Sequence, residues 1–406
     1  STLLLFSRPI ILIDPSLTQA AAWFHCLVNS LMPMKRILAP TFLAFSAAAI
    51  LGASLLRAEP PRTEPPAPPE VVWHDVSQWG AEGQGWAPSD LKAPFDRLPA
   101  KAEKIVRPPV WSLSRHSAGI SFRFNTDATT IRLRHTVGSP NLGMPHMPAT
   151  GVSGIDLYAR DGNQWKWVEV SRPKEVTTTH EISGIDPGLR TYLAYLPLYN
   201  STTKVEVGVP KGATFQPIAP RPDKPIVFYG TSITHGASAS RPGMPHPSIL
   251  GRRLDRPVIN LGFSGNGKME PEVAALLAEI DAAVYVIDCL PNMTEPEVTE
   301  RAEAFVRRLR EVRPETPILL VEDRTYANAW IMKAKRDRHT GSRAAFLHAY
   351  DNLVKSGVKG ITYVEGEPLL GDDTEGTTDG SHPNDLGFLR QADALEPPLR
   401  KALGME

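Results

Sequence analysis

The sequence is poor in cysteine, with two in 406 residues, Cys26 and Cys289. Two are too few for a disulfide framework or a four-cysteine zinc site. The chain also lacks an excess of charge. Its 44 Lys and Arg balance 44 Asp and Glu, which leaves no electrostatic footprint for nucleic acid or an anionic surface. No pair of histidines falls at zinc-ligand spacing, so neither a metal nor a cofactor is expected. Proline, in contrast, is abundant at 39 residues. Part of it lies in residues 59–69 (EPPRTEPPAPP), which read as an extended, semi-rigid linker over 59–70.

Upstream of that linker, residues 1–33 resemble no domain and are expected to be an extension ahead of a natural start at Met34. Met34-Lys35-Arg36 and the apolar run over 37–56 have the form of a secretory signal spanning 34–58, with cleavage near Ala58. An uncleaved membrane anchor is the alternative, since about 20 apolar residues can span a bilayer. Removal of the signal would leave Cys289 as the sole cysteine, with no intrachain disulfide possible. A periplasmic or secreted location follows as the expectation, with no membrane span in the mature protein and no nucleic-acid partner. Oligomeric state is not legible.

Two textures follow the linker. Over 71–220 short strand-like runs alternate with turn signals: 120–124, 130–136, 155–159, 165–170, 177–182, 191–196 and 204–209. Val205, Val207 and Val209 alternate with Lys204, Glu206 and Gly208, as in a half-buried strand, and Asp161-Gly162 sits between two runs as a hairpin turn. This pattern predicts an all-β sandwich. Over 221–406 strands (225–229, 257–261, 283–289, 317–321, 360–364) alternate with helical stretches (270–280, 295–312, 342–356). Val298, Ala302, Phe305, Val306 and Leu309 share one face of the second helix. Continuous apolar strands crossed by amphipathic helices predict a parallel sheet covered on both faces, a three-layer α/β/α fold.

In this second region four sites fall in order at or beyond strand ends, where open α/β sheets bind their ligands. Phe228-Tyr229-Gly230-Thr231-Ser232 ends a strand on a tight turn that presents a hydroxyl. Asn260-Leu261-Gly262-Phe263-Ser264-Gly265-Asn266-Gly267 is a glycine-rich turn after the next strand. Leu290-Pro291-Asn292-Met293 follows the third, and Asp379-Gly380-Ser381-His382-Pro383 precedes the last helix. Acyl transfer needs such parts. A serine hydroxyl is a poor nucleophile until a base takes its proton, and a histidine oriented by a carboxylate can do so near neutral pH. Asp379 and His382, three residues apart, fit within one turn. The tetrahedral intermediate needs donors aimed at its oxyanion. A backbone N–H of Gly265 and the side-chain amide of Asn292 can serve.

The four segments resemble the ordered blocks of the SGNH hydrolases, also called GDSL esterases, over roughly residues 222–400. The resemblance implies a flavodoxin-like α/β/α domain. It implies Ser232 as nucleophile, Asp379 and His382 as its partners, and Ser232, Gly265 and Asn292 as oxyanion donors. Two blocks depart from the family pattern. The first reads Gly-Thr-Ser-Ile-Thr, with Thr231 where the family has an acid, and the third replaces Gly-x-Asn-Asp with Leu290-Pro291-Asn292-Met293. In the first region, Gly154-Ile155-Asp156-Leu157-Tyr158 is similar to the Gly-x-Asp-Leu-Tyr signature of a β-rich module found before some SGNH esterases.

Each feature has a plainer reading. Ser232 could be a turn serine, the Asp379–His382 string a helix cap, Asn292 a turn residue. Gly262 or Gly267 could replace Gly265 as the donor. Gly262 to Lys268 satisfies phosphate-loop spacing, but Met269 stands where a hydroxyl should hold Mg²⁺, so nucleotide hydrolysis is not expected. Asp372, Asp373 and Glu375 lack calcium-loop spacing and read as a solvated loop. His235 and His246 lie near the nucleophile without metal-ligand spacing. Trp165 and Trp167 are expected in core packing rather than on a sugar ring. Arg324 and Trp330, after the fourth strand, are expected to wall the cleft. The combined reading is a serine esterase acting on short acyl esters of carbohydrate, or on a small-molecule ester. An acyltransferase using the same site and a carbohydrate-binding protein with an inactive hydrolase fold are the alternatives.

Overall fold

The five strand-like runs of the second region become strands, the first four buried throughout and the fifth, at the sheet edge, only in part. The computed structural model describes residues 69–405. The expectations for 1–33, 34–58 and most of the linker lie outside them. Strands are numbered along the chain. In the first region they are β1 (Val71–Asp75), β2 (Ser121–Thr126), β3 (Thr130–Val137), β4 (Asp156–Asp161), β5 (Gln164–Val170), β6 (Thr177–Ser183), β7 (Arg190–Tyr195), β8 (Thr202–Pro210) and β9 (Phe215–Ile218). The second region holds β10 (Ile226–Gly230), β11 (Val258–Gly262), β12 (Val284–Asp288), β13 (Ile318–Val321) and β14 (Ile361–Val364). The helices are α1 (Pro108–Ser114), α2 (Ala149–Val152), α3 (Ser232–His235), α4 (His246–Arg253), α5 (Pro271–Glu279), α6 (Glu295–Val312), α7 (Lys333–Lys355) and α8 (Asp385–Ala402).

Strands β10–β14 form one parallel sheet in the order β11-β10-β12-β13-β14. Alternation sorts their side chains into two cores. Val227, Tyr229, Ile259, Leu261, Tyr285 and Ile287 pack under α5, α6 and α7. Ile226, Phe228, Val258, Val284 and Val286 pack under α4 and α8. Both faces are therefore helix-covered, which is why these strands are continuously apolar. The order reverses between β11 and β12 on either side of β10, so a crevice opens at the carboxyl ends of β10 and β12. Ser232 follows β10 and Asn292 follows β12. Helix α6 starts on a capping box, Thr294 with Glu297, and buries Val298, Ala302, Phe305, Val306 and Leu309, as its sequence periodicity predicts.

Strands β1–β9 form two antiparallel sheets, β1-β8-β3-β6 and β5-β4-β7-β2-β9. Phe122, Phe124, Ile131, Leu133, Leu157, Val205 and Val207 from both sheets make one core between them. Gly162 turns the β4–β5 hairpin at φ 55°, a left-handed conformation that glycine adopts without strain. Trp165 and Trp167 are not in this core, contrary to expectation. They point to the outer face of β5, where Trp165 leans on the separate cluster of Tyr158, Leu193 and Tyr195 and Trp167 is 47% exposed.

Between β1 and β2 the chain leaves the sandwich. Leu98, Ala102, Val106 and Val110 join the core of the α/β layer beside α5. Arg97, fully buried, donates to the carbonyls of Asn260 and Gly262 at 3.0 and 2.8 Å, and to those of Leu113 and His116. The described residues all fall in one compact unit. Among them no helix is long and apolar enough to cross a membrane.

Candidate active site

Ser232 sits at the first position of α3. Thr231 is the helix cap, and its hydroxyl accepts the Ile233 N–H at 3.2 Å. The Ser232 N–H, ahead of the first intrahelical bond, is left without a partner among the described residues. This explains threonine before the serine, since the position asks for a side-chain acceptor and a hydroxyl suffices. Gly230 is required because a Cβ there would press on the Asp288 carbonyl at 2.7 Å and on Thr234. From the sandwich side, the Tyr199 hydroxyl meets the Ser232 carbonyl at 3.3 Å.

The Ser232 Oγ lies 2.8 Å from His382 Nε2, and His382 Nδ1 lies 2.7 Å from Asp379 Oδ2. The other Asp379 oxygen accepts the N–H groups of Ser381 and His382 at 3.0 and 2.9 Å. Burial pushes the Asp379 carboxyl up, but these donors together outweigh it and hold the group below its ordinary range. The cap of α8 is Asn384, whose side chain accepts from Gly387 N–H at 3.0 Å. Asp379 is therefore not occupied in capping the helix. Gly380, at φ 95°, turns the loop, and its N–H is held by the Thr377 hydroxyl at 2.7 Å.

The three glycines of the turn differ in what their N–H groups meet. The Gly262 N–H binds the Asn260 side chain at 2.9 Å and the Gly267 N–H binds the Phe263 carbonyl at 3.0 Å. The Gly265 N–H has no partner among the described residues, and Gly265 sits at φ 69° with open space where a Cβ would be. Asn292 stands beside this turn. Its surroundings assign the amide with Oδ1 accepting from Asn266 N–H at 3.0 Å and Gly267 N–H at 3.2 Å, which frees the Nδ2 protons for another acceptor. Met293, where the family pattern has an acid, is fully buried in the α/β core.

Other residues fall elsewhere. Arg324 does not wall a cleft. It is fully buried, donating to Asp288 Oδ1 at 2.8 Å, with Asp323 alongside. Its guanidinium is enclosed with these two carboxylates and faces no cleft. Trp330 is 74% exposed, at the rim of a cavity of about 250 Å³ that Tyr326, Leu370 and Thr377 also line. The Ala327 N–H binds the Gly380 carbonyl at 2.9 Å, so this rim abuts the loop of Asp379 and His382. His235 is buried against Tyr199 with its ring on the Leu198 carbonyl at 2.7 Å. Burial, with Arg97 and His116 nearby, holds its pKa well below the ordinary value. His246, between Phe228 and Phe388, is lowered to about 3 by burial and Arg324. Neither competes with His382 as a base. Lys268 pairs with Glu297 at 3.1 Å, and Asp373 with Arg390 at 2.6 Å. Burial raises the Cys289 thiol, which makes it inert.

Sequence reasoning missed Tyr199 and Arg97. Both come from loops of the first region, and no motif marks them.

Residues 223–400 match the model of the GDSL-like lipase/acylhydrolase family. Residues 71–215 match the GxDLY model, described as the N-terminus of SGNH hydrolase-type esterases. A comparison with curated proteins finds no match. Among solved structures, a protein from Bacteroides ovatus described as a GDSL-like lipase is 33% identical, with 83% of this chain and 99% of that one covered at a TM-score of 0.79. A salicylyl-acyltransferase from a tetracycline biosynthetic pathway is 20% identical, covering 84% and 96% at a TM-score of 0.64. A family two carbohydrate esterase from Cellvibrio japonicus is 13% identical, covering 83% and 99% at a TM-score of 0.54. These last two likenesses are of fold. With both regions matched and one relative a third identical over its whole length, the chain belongs to the GDSL-like lipase/acylhydrolase family, an SGNH-type ester hydrolase with a GxDLY-type N-terminal region.

Proposed function

We propose that the protein removes short acyl groups, acetyl foremost, from carbohydrate esters, with Ser232, His382 and Asp379 as its catalytic triad. The observation that carries this reading is the unbroken chain from Ser232 Oγ through His382 to Asp379, at 2.8 and 2.7 Å. His382 Nε2 takes the hydroxyl proton as Oγ attacks the ester carbonyl, and Asp379 holds the ring in the tautomer that leaves Nε2 free to accept. The oxyanion settles among the unpartnered N–H groups of Ser232 and Gly265 and the Asn292 amide. The alcohol leaves with the proton from His382. Water, deprotonated by the same ring, then releases the acid and restores Ser232.

The side chains of His382 and Asp379 are 32% and 55% exposed, which suits a small acyl group on a bulky alcohol. Trp330 offers an exposed ring beside the Asp379–His382 loop on which a sugar can stack. The signal-like segment 34–58 favours action outside the cytoplasm.

The test is acid release from acetylated oligosaccharides and from aryl acetates and butyrates. Ser232→Ala is expected to lower kcat by about 10³-fold or more. Unchanged turnover would refute the mechanism. Formation of a new ester when an alcohol is added at the expense of acid would favour the acyltransferase reading instead.

A further inference from the structure

The Gly-x-Asp-Leu-Tyr motif has no part in the chemistry above, yet its two polar side chains face the segment that follows the nucleophile. Ile155 and Leu157 point into the sandwich core. By strand alternation Asp156 and Tyr158 point the other way. Asp156 is fully buried. Its Oδ1 accepts the Trp167 Nε1–H at 2.9 Å, and its Oδ2 accepts Arg241 Nη1 and the Gly243 N–H, both at 2.8 Å. The Tyr158 hydroxyl also meets Arg241. A Cβ on Gly243 would lie 2.7 Å from Asp156 Oδ2 and against Tyr158.

The residues so gripped belong to the strap 237–244 between α3 and α4. At one end the Ala237 N–H binds the Ser232 carbonyl at 2.8 Å. In the middle the Ser240 N–H binds Asp385 Oδ1 at 3.0 Å, and its hydroxyl binds the other oxygen of Asp385. Asp385 opens α8, three residues after His382. The Thr150 hydroxyl donates to the Ser240 carbonyl at 2.7 Å. Ser238 lies at φ 70°, a left-handed conformation a serine holds only when its surroundings impose it. One strap thus touches the nucleophile's helix, the helix behind His382 and the sandwich motif.

We propose that Asp156 is a positioning residue. Through Arg241 and Gly243 it fixes the strap and so sets the approach of Ser232 to His382, which makes the first region part of the catalytic scaffold. This rests on the serine-esterase reading of the site. A buried carboxylate with three donors is a rigid anchor, because loss of its charge leaves Arg241 and the Gly243 N–H facing a poorer or wrongly oriented partner.

The test is Asp156→Asn in the full chain, with aryl acetate as substrate and an aryl phosphonate that titrates reactive Ser232. In the variant one amide hydrogen faces the Gly243 N–H or an oxygen is lost to Trp167. A displacement near 1 Å is expected to cut kcat per titrated site about 10- to 100-fold, with KM changed less than about threefold. A purely structural role would lower the melting temperature and the number of titrated sites but leave kcat per site at the wild-type value; that result would overturn the proposal. If Asp156→Asn does not fold, Arg241→Gln makes the same measurement from the strap side, with the same two outcomes. Failure of the esterase reading looks different: wild type itself would show no Ser232-dependent turnover.

Discussion

Asp379→Asn separates a positioned catalytic carboxylate from a loop residue that happens to touch a histidine. Asp379 Oδ1 is committed to two backbone N–H groups, at 3.0 and 2.9 Å. An asparagine there keeps its oxygen on those donors, so its NH2 group must face His382 Nδ1. That nitrogen becomes the acceptor and the ring proton moves to Nε2, the atom 2.8 Å from Ser232 Oγ. The imidazole then donates to the hydroxyl instead of taking its proton. The imidazolium formed during attack also loses its counter-charge. At an effective dielectric near 20, two unit charges about 4 Å apart are worth about 4 kcal/mol. The Asp379 side chain is 55% exposed, so solvent screening reduces that figure to about 2 kcal/mol or less. With the tautomer penalty, a loss of about 10²- to 10³-fold in kcat is expected, equivalent to about 3–4 kcal/mol.

The assay is kcat on an aryl acetate at pH 7.5, with a thermal melt beside it. Both backbone hydrogen bonds survive the substitution, so the melt is expected to move little. A well-folded variant with kcat within about threefold of wild type would refute the orienting role of Asp379. The wild-type pH profile gives a second reading. The folded-state pKa of Asp379 is depressed, so its contribution to stability is present above the unfolded value of about 4 and lost only as pH falls below it. An acid limb in kcat above that pH originates elsewhere than in Asp379.

Asp323 is fully buried, neither of its carboxylate oxygens has a hydrogen-bond partner among the described residues, and its pKa is raised to about 6, chiefly by burial. Between about pH 4 and 6 the folded state holds more protons than the unfolded one, so this group costs stability as pH rises through that window. The difference between about 4 unfolded and about 6 folded corresponds to about 3 kcal/mol. Asp323→Asn is expected to raise the melting temperature at pH 8 more than at pH 4.5; equal shifts would refute the assignment. A Cβ on Gly267 would overlap the Gly230 carbonyl, where backbone meets backbone and nothing can yield. Gly267→Ala is expected to lose about 3 kcal/mol or more, read by urea denaturation, whereas Gly265→Ala, with open space but φ 69°, is expected to lose only about 1 kcal/mol.

The parallel sheet, and the pattern that makes Ser232 the proposed nucleophile and His382 its proposed base, are legible because each depends on local pattern. Strands buried on both faces must be continuously apolar, and a turn that delivers a side chain over a sheet edge must contain glycine. Helix α7 is only partly legible. Its apolar residues start late, while Lys333-Ala334-Lys335-Arg336-Asp337-Arg338 shows no stripe and His339 is its first buried side chain. Helix α4 is illegible for the opposite reason: His246 to Gly251 are buried all round, which erases amphipathic periodicity. Strands β1 and β9 are short edge strands, whose few residues carry no alternation long enough to read.

Arg324 shows where residue type misleads. An arginine after a strand end in an α/β fold reads as a ligand contact, because a buried guanidinium needs an anion that the sequence cannot place. Here two aspartates from neighbouring strand ends, Asp288 and Asp323, supply it, at 2.8 and 3.8 Å. One guanidinium between two carboxylates leaves an excess negative charge in the interior, and Asp323, without hydrogen bonds among the described residues, has its pKa pushed up to about 6. The Asp288 end of that cluster also reaches Thr234 at 3.4 Å, in the helix of Ser232. Arg324, expected as a cleft wall, therefore sits with its two aspartates beneath the helix of Ser232. Substituting Arg324 should accordingly destabilise the protein, by about 3–5 kcal/mol for an uncompensated buried charge, before any change in substrate preference could be measured.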